Sequence, residues 1–135
     1  MKRYRITSET SFYYSTCTIT AWLPVFQADR YFKLIIDSLS YCQKNKGLLL
    51  LGYVIMPTHL HLITSNVLET SLENIMRDFR HYTSSGIRNL LLEENRFHFL
   101  KVFEKAASAL SKQHYRVWKE DYHPVALKSD KWFSS

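Results

Sequence analysis

Residues 11–22, SFYYSTCTITAW, split into two alternating sets, with Phe12, Tyr14, Thr16, Thr18 and Thr20 on one side and Tyr13, Ser15, Cys17 and Ile19 on the other. β-Branched and aromatic residues at a period of two predict a strand, which Pro24 closes. Beyond it the period lengthens. Phe32, Ile35, Ile36, Leu39 and Cys42 recur at helical spacing, Asp29 stands where a cap is needed, and Gly47 offers a left-handed stop. The run LLLLGYVIM, residues 48–56, is nearly continuous in hydrophobicity and reads as a central strand covered on both faces. Pro57 and Thr58 then make a tight connection into HLHLITS, an adjacent antiparallel strand.

Thr70 and Glu73 form a T-x-x-E capping box that opens a second helix. Leu72, Ile75, Met76, Phe79, Thr83 and Ile87 make its buried stripe, while Arg77, Arg80, His81 and Arg88 look outward. Residues 91–114 keep only a partial helical period, around Leu100, Phe103, Ala107 and Leu110, and read as a helical excursion. Tyr115, Val117 and Trp118, then Val125 and Leu127, restore an extended pattern and predict a fourth strand. The order β-α-β-β-α-β defines an α+β, ferredoxin-like domain spanning residues 1–135, with a mainly antiparallel sheet and helices on one face.

Composition narrows the setting. A chain of 135 residues, 46% hydrophobic and 15% aromatic, can bury one core. The basic start MKRYRITSET has no apolar stretch of signal-peptide length, and no run approaches the ~18 residues that cross a bilayer, so a soluble cytoplasmic protein is expected. Cys17 and Cys42 lack C-x-x-C spacing and read as reduced core thiols. Eighteen Lys and Arg against twelve Asp and Glu leave a formal charge of +6, which favours a polyanionic partner without specifying one. Arg77, Arg80 and Arg88, with Lys2, Arg3 and Arg5, are candidate phosphate contacts, against the plainer reading of a solvated charged surface. Trp118 and Trp132 could stack on bases or pack in the core.

The chemistry concentrates at His59 and His61. Residues i and i+2 of a strand share a face, so the two imidazoles project together and Leu60 and Leu62 project opposite them. If the leucines pack beneath the helices, the histidines stand on the open side of the sheet, close enough to hold one divalent cation. The alternative is a pair of ordinary sheet-surface histidines. Two nitrogen ligands leave positions for a further polar group, a phosphate oxygen and water, which suits polarisation of a phosphodiester; imidazole tilts the choice toward Mn2+, abundance toward Mg2+. His81 and His123 are weaker candidate ligands.

The stretch YVIMPTHLHLI, residues 53–63, followed by SLENIMRDFRHYTS and by VWKEDYHPVAL, resembles the REP-associated tyrosine transposases, a branch of the single-tyrosine HUH (IS200-like) transposases. The resemblance spans nearly the whole chain. It implies a ferredoxin-like fold, a divalent metal on His59, His61 and one more polar ligand, binding of hairpin-bearing single-stranded DNA, cleavage through a 5′-phosphotyrosyl link, and a homodimer. In such relatives the nucleophilic tyrosine follows the fourth strand on a helix, whereas here only six residues follow the candidate cap Ser129, so that helix is expected to be missing. Tyr115 and Tyr122 are the tyrosines nearest the required place in the chain; Tyr82 lies beside the second helix's core stripe and reads as packing. The expectation is a transposase, or alternatively a DNA-binding remnant of one that no longer cleaves. A small metal phosphohydrolase is a third class, but histidine-triad enzymes require a histidine at position 63, which is isoleucine, and paired H-x-[ST] motifs are absent.

Overall fold

The computed structural model describes residues 11–108, 114–120 and 122–127. Along the chain come β1 (Phe12–Thr18), a 3-10 turn (Thr20–Trp22), α1 (Asp29–Asn45), β2 (Leu48–Met56), β3 (His59–Asn66), α2 (Leu72–Glu93), α3 (Phe97–Ser108) and β4 (Val125–Leu127). The sheet order is β2-β3-β1-β4, with every neighbouring pair antiparallel. This is the expected α+β, ferredoxin-like arrangement with α3 inserted before the last strand. Lys2, Arg3, Arg5, Leu110, Ser129 and Trp132 lie outside the described residues. Among the described residues no helix is long and apolar enough to cross a membrane.

Alternation along β1 and β3 decides which face is covered. Ser15 and Cys17 of β1, Ile19 just beyond it, and Leu60 and Leu62 of β3 are buried, and Cys17, Ile19 and the leucines meet Ile35 and Leu39 of α1 and Met76, Phe79 and Ile87 of α2 in one core. Leu100, Phe103 and Ala107 of α3 are also buried, at the spacing the sequence implies. Gly86 lets α1 approach α2, since a Cβ there would lie 2.7 Å from Leu34 Cδ1. Gly47 ends α1 at φ +84, as anticipated.

Four expectations need correction. β2 is an edge strand; β3 takes the inner place because it alone pairs with both β2 and β1, and Leu51 of β2 is 52% exposed. In α1 the stripe is taken by Tyr31, whose hydroxyl donates to Glu94 Oε1 at 2.8 Å, while Ile36 is exposed. Burial and that carboxylate push the Tyr31 phenol upward. The cap of α2 is Ser71, whose Oγ accepts from the Asn74 N–H at 3.2 Å; Thr70 Oγ1 donates to the Val67 carbonyl at 2.6 Å instead. Asp29 is the first residue of α1 rather than its cap, where its charge still complements the helix dipole.

The fourth strand is also shorter than its pattern. Among the described residues of this segment, only Val125–Leu127 pairs with β1 as a strand. Residues 117–119 instead hook onto the end of β1, with the Thr20 N–H donating to the Val117 carbonyl and the Lys119 N–H to the Thr18 carbonyl, both at 2.8 Å, and a single bridge joining Ile19 to Trp118.

Candidate metal and nucleic-acid site

Register places the histidines on the uncovered face. His61 lies opposite Thr16 of β1 and Val54 of β2, and His59 lies opposite Thr18 and Met56. Their neighbours Leu60 and Leu62 are fully buried on the other side. The two rings are 4.7 Å apart between centroids and nearly perpendicular, at 83°. They therefore point together, as the i, i+2 spacing requires.

Hydroxyls surround the inner nitrogens. His61 Nδ1 lies 2.7 Å from the Tyr14 hydroxyl and 3.0 Å from Thr16 Oγ1, and the Tyr14 ring stacks on the imidazole at 5.6 Å. His59 Nδ1 lies 2.9 Å from Thr58 Oγ1. With each Nδ1 engaged, Nε2 is the nitrogen left on each ring for a ligand, the arrangement that outer partners impose on metal-binding histidines. Burial, and then the neighbouring His59, hold His61 below its ordinary value of 6.5, a shift toward the neutral form that ligates metals. This donor set fits two ligands of one cation. Among the described residues no group of three or more His, Cys, Asp and Glu gathers around a common point.

Neither tyrosine candidate reaches the pair. Tyr115 donates toward or accepts from Ser85 of α2 at 3.3 Å and lies under the Arg88 guanidinium, on the helical side of the sheet. Tyr122 packs against the core cluster beneath the Arg80 guanidinium; burial pushes its phenol up, with Ser15 from the covered face of β1 opposing the shift. The phenol beside the histidines is Tyr14. Its position on the same face as Thr16 is implied by the alternation of β1, but its partnership with His61 depends on the β1–β3 register.

A second cluster forms behind the sheet. Arg77, Arg80, His81 and Ser84 of α2 face His114, Arg116 and Lys119 across a cleft of about 420 Å3 floored by Tyr115, Val117 and Trp118. Arg80 Nε donates to the Met76 carbonyl at 3.3 Å, and Arg116, nine-tenths buried, pairs with Glu120 at 2.8 Å. Arg77 is exposed and pairs with Asp78. Arg88 is held over Tyr115 and does not line the cleft, so two of the three helix arginines converge. His81 joins them, and His123 is exposed away from the histidine pair's hydrogen bonds. Arg116 and Lys119 carry no periodic signal, because they come from an irregular segment positioned by its bonds to β1.

No family model matches the sequence, and no curated protein does. Solved structures do share its fold. A candidate transposase from Deinococcus radiodurans R1 superposes with a TM-score of 0.64 at 12% identity, over 97% of this chain and 89% of that one. A REP-associated tyrosine transposase bound to a REP hairpin superposes with a TM-score of 0.60 at 10% identity, over 97% of this chain and 65% of that one. At these identities the likeness is one of fold, and the chain spans under two thirds of the hairpin-bound protein.

Proposed function

We propose that this chain is a tyrosine-transposase-type HUH domain that binds hairpin-bearing single-stranded DNA with a divalent cation, Mg2+ or Mn2+, at His59 and His61. The observation that carries the reading is the paired imidazoles, projecting from the uncovered face with each Nδ1 engaged by a hydroxyl. The fold shared with a transposase bound to a REP hairpin supports it. A bound cation would supply Lewis-acid polarisation of a phosphodiester. The chain's own contribution is to hold two imidazoles in place through Tyr14, Thr16 and Thr58, and to line an anionic strand's path with Arg77, Arg80, Arg116 and Lys119. A second copy of the chain is the further partner in this reading, and the uncharged outer edge of β2, LLLLGYVIM, is a pairing surface for it.

A second reading, DNA binding without cleavage, is favoured by the placement of Tyr115 and Tyr122 on the side of the sheet away from the histidines. One experiment separates the two. Hairpin DNA with a single-stranded flank is incubated with the protein and Mn2+ and resolved on a denaturing gel beside a native gel. Cation-dependent retardation that His61→Ala abolishes, with a covalent protein–DNA band, supports the transposase. Retardation without that band supports the binding form, and equal affinity for the hairpin and a plain duplex overturns both.

A further inference from the structure

The 3-10 turn after β1 holds a tryptophan in an unusual state. Ala21 and Trp22 both have positive φ, 58° and 52°, a region that non-glycine residues rarely enter and that is an outlier for a bulky one. The turn is fixed in this form by the Thr20 N–H bond to Val117, the Trp22 N–H bond to the Ile19 carbonyl at 2.9 Å, and the Leu23 N–H bond to the Thr20 carbonyl at 3.4 Å. The result is an indole that is 61% exposed, whereas Trp118 is 7% exposed, with Nε1 donating to Thr83 at 3.0 Å. A strained backbone that carries a large apolar ring into solvent does not serve packing, and strain of this kind collects where ligands are held.

Its surroundings indicate the ligand. Lys119 Nζ sits 4.0 Å from the centre of the Trp22 ring. Lys119 also lines the basic cleft, and its N–H is bonded to Thr18, the residue in register with His59. The turn therefore stands at the end of the sheet where the histidine face meets the basic cleft. We propose that Trp22 and Lys119 form a subsite for one unpaired nucleotide of a single-stranded nucleic acid, the indole stacking on the base and the ammonium meeting its phosphate. This rests on the DNA-binding reading above and adds what that reading lacks, a means of telling an unpaired strand from a duplex. Every base has a π face, so the subsite accepts any sequence, but a paired base is already stacked on its neighbours and is not available.

The test compares two oligonucleotides, one hairpin with a single-stranded flank and the same hairpin with a blunt end, on wild type, Trp22→Ala, Trp22→Phe and Arg80→Ala. Trp22→Ala is expected to weaken binding of the flanked hairpin roughly ten- to a hundredfold, the range of one base–aromatic stack, and to leave the blunt hairpin unchanged. Trp22→Phe retains most of the affinity but loses the flank-dependent quenching of tryptophan fluorescence. Arg80→Ala weakens both oligonucleotides alike. Equal affinity of wild type and Trp22→Ala for the flanked hairpin, or equal losses on both oligonucleotides, overturns the subsite while DNA binding stands. A wild-type protein that binds neither oligonucleotide overturns the DNA-binding reading and the subsite together.

Discussion

The two faces of the sheet have been built by the same strands to opposite rules. On the covered face, β1 and β3 contribute Ser15, Cys17, Leu60 and Leu62, each almost wholly removed from water. On the uncovered face, one residue along, the same strands contribute Tyr14, Thr16, Thr18, His59 and His61, with the Tyr14 and Thr16 hydroxyls both on His61 Nδ1. A period of two lets one eight-residue strand be core and site at once, and it makes any change of register destroy both. Substitutions on the covered face should thus act on stability, and substitutions on the other face on binding.

The sharpest contrast sets Phe79 of α2 against His61. Phe79 is buried at the middle of the core, so Phe79→Ala is expected to destabilise the fold by about 3–5 kcal/mol in urea titration. His61→Ala is expected to shift that stability by no more than about 0.5 kcal/mol while abolishing cation-dependent binding. Loss of stability with His61→Ala comparable to that with Phe79→Ala would break the division between the faces.

Cys17 gives a chemical measure of the same division. Burial pushes its thiol from 9.0 up to about 12, with the Arg80 charge partly opposing. The folded thiol thus ionises at higher pH than the unfolded one, so its contribution to stability is intact below pH 9 and is lost as pH rises toward 12. At pH 8 the native thiol, buried and held in its protonated form, should react with iodoacetamide far more slowly than the thiol of the urea-denatured chain. Rapid native labelling would show that the covered face opens.

Much of this was legible in the sequence because it follows from period. The alternation of HLHLITS is enough to send His59 and His61 one way and Leu60 and Leu62 the other, and the helical spacing of Ile75, Met76, Phe79, Thr83 and Ile87 identifies the stripe they meet. What depends on partners far along the chain was not legible. The hydrophobic run of β2 does not distinguish an inner strand from an edge strand, since that is decided by which strand β3 pairs with next. Tyr14 becomes a neighbour of His61 only through register between residues 47 positions apart. The basic cleft and the Trp22 turn depend on where residues 117–119 fasten to β1, and no local pattern in RVWKE announces it.

One isosteric substitution made in two environments gives the smallest effect and the cleanest comparison. Valine and threonine have nearly the same shape, so exchanging them changes polarity and little else. Val117 is buried beside the turn, and a hydroxyl placed there meets the core, where an unpartnered polar group costs about 1–3 kcal/mol. Val54 lies opposite His61 on the uncovered face and is exposed, so its hydroxyl would remain hydrated and Val54→Thr should stay within about 0.5 kcal/mol of wild type. Thermal unfolding of both variants in one buffer measures the difference directly. Equal costs would mean that the surface around the histidines is covered in solution, by a second copy of the chain or by another partner, and dilution would then separate the two variants again.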